Sequence, residues 1–191
     1  PGNALGAYLH GANLTVIGNA QDATGDTMND GSIVVYGSTG DTCGYAMRGG
    51  SIYIRGNAGY RAGIHMKAYH DKFPVMVIGG KAGSFLGEYQ AGGVIIVLGL
   101  GSAENENIVS NFCGTGMHGG TIYIRAKTLN AKFPPQVRVR EAEKEDLAKI
   151  NTYIDKFCML FSVPRNTIDD RPFWVLTPNT DNPYKQLYVQ N

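Results

Sequence analysis

The sequence lacks several features that would place it in a class of protein at once. Its longest uninterrupted aliphatic run, residues 94–98, is far shorter than the roughly 20 apolar residues that a membrane-spanning helix needs. Its 17 basic and 16 acidic residues leave a net charge of +1, with no block of one sign. Composition therefore gives no support for binding to nucleic acid or to a membrane surface. The first residues also show no basic-then-apolar signal pattern.

Cysteine is scarce as well. The three cysteines are an odd number and lie far apart, at Cys43, Cys113 and Cys158. This spacing argues against a disulfide framework and favours a reducing compartment. We therefore expect a cytoplasmic protein.

Glycine, by contrast, is abundant and periodic. Two columns of glycines recur at a spacing of 19 residues, which lengthens only where residues are inserted. The first column is Gly6, Gly25, Gly44, Gly63, Gly87 and Gly114, and the second is Gly18, Gly37, Gly56, Gly80 and Gly99. A fixed short period is typical of a solenoid, and the columns indicate six coils.

The residues before the second glycine column predict one strand in each coil. Alternate residues of a strand face the same side, and two columns spaced two residues apart are wholly apolar. They are Leu14, Ile33, Ile52, Met76, Ile95 and Ile122, and Val16, Val35, Ile54, Ile78, Val97 and Ile124. We expect these columns to face inward and the columns between them to face outward. The predicted fold is all-β, a single-stranded right-handed parallel β-helix of about six coils with a C-terminal α-helix and an extended tail.

Two insertions interrupt the period, at residues 67–73 and 102–111. Departures of this kind map to surface loops in repeat proteins and often lie on the binding face. Their polar residues are the candidate partner contacts: Lys67, His70, Lys72, Glu104, Asn105 and Glu106. The first coil starts abruptly, so we also expect its edge, residues 5–18, to be covered by a partner or by further chain.

The composition changes near residue 140, and we divide the chain there into a β-helix domain, residues 1–140, and a C-terminal segment, residues 141–191. Helical spacing of apolar residues predicts a helix over residues 141–161, with Leu147, Ile150, Ile154, Phe157 and Phe161 on one face. We expect this helix to cover the C-terminal end of the solenoid. The remaining tail should pack on the solenoid because it carries large apolar residues: Phe173, Trp174, Leu176, Tyr184, Leu187 and Tyr188.

Several short patterns look like functional motifs, but the repeat accounts for them. Residues 114–119 match G-x-G-x-x-G, yet they lead into a strand, whereas a dinucleotide site would open a helix. Cys43 and Cys113 share one column about 14 Å apart along the axis, too far for a shared metal ion. The acids at the corners should make turn hydrogen bonds: Asp22, Asp26, Asp30 and Asp41.

The histidines give no further site. His65 and His70 are the two that could be neighbours, and no third ligand is fixed near them. No serine, histidine and aspartate must converge as a catalytic triad. We predict no catalytic, cofactor-binding or metal-binding residue in this chain.

Three segments carry a family resemblance: GNAQDATGDTMNDG (18–31), GYAMRGGSIYIRGNAGYRAGIHMK (44–67) and GTGMHGGTIYIR (114–125). They resemble the glycine-rich C-terminal domain, the GXGXG domain, of the glutamate synthase large (alpha) subunit. They are more distantly similar to the β-helical subunit of formylmethanofuran dehydrogenase. The resemblance covers residues 5–125 and implies a right-handed parallel β-helix that serves as a scaffold without catalytic residues.

The rest of the glutamate synthase family implies partners. Its amidotransferase domain uses an N-terminal cysteine, and its barrel domain carries FMN and an iron–sulfur cluster. The resemblance therefore implies that glutamine hydrolysis and reduction of 2-oxoglutarate occur on separate amidotransferase and synthase subunits, which hold those cofactors. The leading hypothesis is a non-catalytic structural subunit of a glutamate synthase-like complex, with a homo-oligomer left open.

Other functional classes stay open on the sequence. A β-helical carbohydrate-active enzyme would need charged side chains stacked on one outward face, where we find only Arg55 and Arg125. A hexapeptide-type acyltransferase has a similar coil length, but its aliphatic residue at every sixth position is absent. A β-helical component of a formylmethanofuran dehydrogenase-like oxidoreductase is the third alternative.

Overall fold

The computed structural model describes residues 1–179, so the predictions for Tyr184, Leu187 and Tyr188 lie outside the described residues. Within this range the chain forms eight strands and two helices. They are β1 (Asn13–Val16), β2 (Ser32–Val35), β3 (Ser51–Ile54), β4 (Val75–Ile78), β5 (Ala91–Val97), β6 (Gly119–Arg125), β7 (Val137–Glu141), α1 (Lys144–Phe161), α2 (Asn166–Asp169) and β8 (Phe173–Pro178). Neither helix in this range is long and apolar enough to span a membrane.

All eight strands belong to one sheet, in the order β1-β2-β3-β4-β5-β6-β8-β7. Strands β1 to β6 are parallel, whereas β8 pairs antiparallel with β6 and with β7. Leu14 pairs with Ile33, and Ile33 pairs with Ile52. The predicted strands of the six repeats and their 19-residue register are therefore confirmed.

The predicted fold class, an all-β single-stranded right-handed parallel β-helix, is wrong. The described residues form a mostly parallel eight-stranded sheet with the 18-residue helix α1 on one face, an α/β-type arrangement. Each repeat supplies one strand, and the rest of the repeat runs mainly through turns. Left-handed backbone recurs in those turns, for example at Thr42 and Ala46 with φ of 53° and 49°. A strand cannot continue through such residues because extended backbone requires negative φ.

The turns of successive repeats are nevertheless bonded to one another. Gly25 N–H donates to the Leu5 carbonyl and Gly44 N–H to the Thr24 carbonyl, each at 2.8 Å. These bonds satisfy backbone groups that the turns would otherwise leave buried and unpaired. Each repeat is thus held to the next on the turn side as well as on the strand side.

Side chains at the corners explain why glycine is needed there. Asp22 Oδ1 accepts a hydrogen bond from the backbone N–H of Asp41, and Asp41 Oδ1 accepts one from Tyr60, both at 2.8 Å. A Cβ at Gly40 would lie 2.0 Å from Asp22 Oδ1, and one at Gly59 would lie 2.4 Å from Asp41 Oδ1. These two acids therefore bond to the backbone of the next repeat, 19 residues on, and not within their own turns as the sequence predicts.

The core has two buried clusters, one on each face of the sheet. The inner cluster holds the two predicted inward columns, except that Leu14 on the edge strand β1 is half-buried. It also holds Met28, Met47, Met66, Met117, Cys43 and Cys113. The methionines and these two cysteines therefore fill the core beside the strands.

The outer cluster corrects two expectations. Residues expected to face outward are buried: Val34, Tyr53, Val77, Ile96 and Tyr123. They pack against Ile150, Ile154 and Phe157 of α1. The helix therefore covers the outer face of the sheet, and β8, not the helix, covers the C-terminal end. The physical reason is that this outward column is largely apolar and stabilises the fold only when it is removed from water.

Candidate docking groove and surface loops

The first insertion folds as a tight hairpin. The backbone N–H groups of Tyr69 and Lys72 each donate to the other residue's carbonyl, at 3.1 and 3.0 Å. His70 occupies the turn with φ of 56°. Lys72 Nζ lies 3.7 Å from Asp30 Oδ2, so the hairpin leans over the second repeat. Lys67 and His70 are exposed, and Lys72 is half-buried.

The second insertion is held by two ion pairs. Glu106 pairs with Lys81, and Glu104 Oε2 lies 2.8 Å from Lys127 Nζ. Hydrogen bonds from these lysines lower the pKa of both carboxyl groups. Glu104, Asn105 and Glu106 are exposed on the loop between those two lysines.

The two insertions lie at opposite ends of the strands. Residues 67–73 precede β4, at the amino ends of the parallel strands, and residues 102–111 follow β5, at the carboxyl ends. Strands of 4 to 7 residues separate the two ends by about 13 to 23 Å. The structure therefore groups Lys67, His70 and Lys72 at one end and the three residues of the second insertion at the other.

A groove runs between the first insertion and α1. It consists of two cavities of about 560 and 380 Å³, which share Phe73 and Tyr153 as lining residues. Strand residues from β3 to β8 form its floor. These strands are four spacings apart in the sheet order, so the groove is about 19 Å long.

One end of this groove is closed by a buried carboxylate. Arg140 Nη2 lies 2.9 Å from Asp146 Oδ1, and the same carboxylate accepts the Glu143 backbone N–H at 3.0 Å. The hydrogen bond from Arg140 lowers the pKa of Asp146 to about 2. Asp146 is therefore ionised at neutral pH and fixes the first turn of α1 beside β7.

Cationic side chains of α1 line the groove. Lys156 lines the cavity of about 560 Å³, and Lys149 lines the cavity of about 380 Å³. Lys156 Nζ lies 5.1 Å from the ring centroid of Tyr53. Burial raises the pKa of Tyr53 to about 12, so its hydroxyl stays neutral. Sequence reasoning missed these lysines, although Lys149, Tyr153 and Lys156 follow the i, i+4, i+7 spacing of one helical face.

The turn side carries an aromatic cluster that the sequence reasoning also missed. Ring centroids of Tyr60 and Phe85 lie 5.3 Å apart, and those of Phe85 and Phe112 lie 4.8 Å apart. Phe85 and Phe112 have positive φ, at 61° and 62°. Their column begins with the small residues Ala4 and Ala23, and this change of residue type was the available signal.

Arg125, one of two arginines considered for a carbohydrate-binding face, is buried. Its Nε and Nη1 donate to the carbonyls of Ile168 and Leu98, both at 2.7 Å, and it pairs with Asp170. Burial lowers the pKa of Arg125, and the carboxylate of Asp170 acts in the opposite direction. Arg55 in the same column is exposed. The two arginines therefore do not form a charged outward stack.

The described residues contain no group of three His, Cys, Asp or Glu placed to hold a metal ion. His65 stacks on Tyr89, with ring centroids 5.2 Å apart. His70 packs edge-on against Tyr69 at 4.2 Å. These ring contacts account for the two histidines that the sequence leaves as possible neighbours.

The core cysteines are poor nucleophiles. Burial raises the pKa of Cys43 and of Cys113 to about 12, so their thiols stay protonated at neutral pH. Cys158 on α1 is half-buried, and desolvation raises its pKa as well. None of the three has the depressed pKa of a reactive thiol.

We expect a thiol-specific reagent at pH 8 to modify Cys158 alone in the native protein and all three cysteines in denaturant. Accessibility decides this difference, because both core thiols are enclosed. Mass spectrometry of intact and digested protein gives the sites. Rapid native labelling of Cys43 or Cys113 would contradict their placement in the core.

Comparison with known proteins gives the family. A family model described as GXGXG motif matches residues 1–171. The chain belongs to the GXGXG family. This is the family of the C-terminal domain of the glutamate synthase alpha subunit, so the resemblance seen in the three sequence segments is confirmed.

One relative of this GXGXG chain comes from Methanocaldococcus jannaschii and bears the name "Uncharacterized protein MJ1350". It is 49% identical over 194 residues, a match that covers 99% of this chain and 74% of the relative. The likeness extends across the C-terminal segment, which the sequence resemblance had left uncovered.

Proposed function

We propose that this chain is a non-catalytic structural subunit of a glutamate synthase-like complex. The observation that carries the proposal is the GXGXG family match over residues 1–171. In this proposal, amidotransferase and synthase subunits hydrolyse glutamine, form glutamate and hold the FMN and the iron–sulfur cluster. This chain docks against them and holds them in place.

The architecture supports a docking role. Successive repeats are tied to each other on both the strand side and the turn side, which makes a stiff body in which each repeat contacts its neighbours. The candidate contacts are those at the two ends of the strands, Lys67, His70 and Lys72 at one end and Glu104, Asn105 and Glu106 at the other. We also propose that residues 141–191 act as a segment distinct from residues 1–140, with α1 available to partners along the groove.

Co-purification with the amidotransferase and synthase subunits of the same organism tests this proposal. We expect co-elution in size-exclusion chromatography with light scattering, at a fixed stoichiometry. Separate elution of the chain when the partner subunits are in molar excess over it would overturn the docking role.

Two variants then test which end of the strands contacts the partner subunits. In one, residues 103–107 are replaced by a short glycine-serine turn, because Ile108 and Val109 beyond them are buried and must stay. In the other, Lys67 and His70 are both changed to glutamate, and Lys72 keeps its contact with Asp30. Both variants should fold, since loop shortening and exposed substitutions change stability little. Weaker assembly of one variant assigns the docking end, whereas full assembly of both would remove the insertions from the interface.

A further inference from the structure

The groove between α1 and the first insertion has an apolar centre. Phe73 is 49% exposed although it is a large apolar side chain. It lines both cavities together with the half-buried Tyr153 of α1. Exposed aromatic residues at the centre of a concave surface are typical anchor positions of protein interfaces.

The α1 wall of the groove carries positive charge that the described residues do not neutralise. Lys149 Nζ lies 4.0 Å from Asp146 Oδ1, but that carboxylate already binds Arg140 and caps α1. Lys156 contacts the Tyr53 ring, and no carboxylate of residues 1–179 lies within ion-pair distance of it. The two lysines are seven residues apart, which places them about 10 Å apart along the helix.

The opposite wall carries one carboxylate in excess of its cations. Asp30 lies beside Lys72 and accepts the backbone N–H of Gly31 at 2.7 Å. Asp71 adds one negative charge at the hairpin. The groove is therefore cationic along α1, aromatic at its centre and weakly acidic along the hairpin, so an acidic ligand is directed to the α1 wall.

We propose that this groove binds an extended acidic segment of a partner protein, with an aromatic or large aliphatic side chain between Phe73 and Tyr153 and carboxylates directed to Lys149 and Lys156. The length of about 19 Å accommodates about six extended residues. The positive α1 wall selects carboxylates over ammonium groups. This inference rests on the proposed docking function and names the chemistry of the docked segment.

Fluorescence anisotropy with defined peptides tests this inference without the partner subunits. The probe is a fluorescein-labelled peptide of about eight residues with one phenylalanine flanked on each side by two glutamates. Matched probes carry lysine in place of glutamate, or alanine in place of phenylalanine. We expect saturable binding of the acidic phenylalanine probe, weaker binding of the alanine probe and no binding of the lysine probe.

Paired variants locate the binding to the groove. Lys156→Glu should weaken binding at least about fivefold, since it replaces an attraction with a repulsion. Lys144→Glu, on the same helix but outside the groove, should leave the affinity within about twofold. Phe73→Ala should weaken binding, whereas Phe112→Ala on the turn side should not. Circular dichroism confirms that each variant is folded.

The outcomes separate this inference from the docking proposal. Absence of saturable binding to the acidic probe, equal binding of the lysine probe, or equal effects of Lys156→Glu and Lys144→Glu would each overturn the groove assignment. Full displacement of the probe by inorganic phosphate at equal concentration would also overturn it, because the site would then bind small anions. Co-elution with the partner subunits would still support the docking role in each of these cases, and its failure alone would count against that role.

Discussion

Replacement of Ile54 by aspartate is expected to abolish cooperative folding at 25 °C. Ile54 is fully buried and pairs with Val35 on one side and Ile78 on the other. A carboxylate at this position would have no partner, which costs several kcal/mol or forces the group to take up a proton. That cost is comparable to the roughly 5 to 15 kcal/mol of net stability that a domain possesses. Thermal unfolding followed by circular dichroism measures the effect.

The same substitution at an exposed isoleucine is the control. Ile17 is 83% exposed, next to the end of edge strand β1. We expect Ile17→Asp to change the free energy of unfolding by no more than about 0.5 kcal/mol. An Ile54→Asp protein that melts at the temperature of the parent would show that the inner face of the sheet is wrongly assigned.

Arg125→Ala has the second-largest expected effect. The guanidinium donates to the carbonyls of Leu98, Thr167 and Ile168, and thus ties β5 to the α2 segment. Removal leaves these carbonyls without their donor, and we expect a loss of about 3 kcal/mol. Urea unfolding gives the difference in free energy.

Arg55→Ala is the matched control, because Arg55 occupies the same repeat position and is exposed. We expect it to be neutral within about 0.5 kcal/mol. Equal stability losses in the two variants would contradict the burial of Arg125.

The strand register could be predicted from the sequence because two independent periods agree. The 19-residue glycine spacing fixes which residues are equivalent, and the two-residue alternation fixes which of them face inward. A shift of one residue would have placed Gly79 inside. Ile52 opposite Met76 shows that the register holds even across the first insertion.

The outer layer could not be predicted in the same way. Val77 and Ile96 are apolar, but their column also contains Thr15 and two tyrosines, which is compatible with an exposed face. The prediction of a helix with one apolar face was correct. Its observed range, Lys144–Phe161, lies within the predicted residues 141–161. An amphipathic pattern predicts that the apolar face of a helix is buried, but it does not predict which surface that face packs against.

The groove and the buried arginine depend on contacts between distant parts of the chain. Phe73 and Tyr153 line the same groove although they lie 80 residues apart in sequence, and Arg125 bonds to Ile168 across 43 residues. The position of the first insertion could be predicted from the broken period. The opposite wall of the groove could not be predicted, because no local sequence pattern indicates that α1 lies beside the first insertion.

In the proposed function, this chain contributes to assembly and catalyses no reaction. The most direct measurement is the initial rate of glutamine-dependent glutamate formation from 2-oxoglutarate by the purified partner subunits as this chain is titrated in, with the chain alone as a parallel sample. We predict no turnover and no flavin absorbance from the chain alone, and a coupled rate that rises with added chain to a plateau at a fixed ratio. Turnover or a flavin spectrum from the chain alone, or a coupled rate that does not depend on it, would contradict the claim.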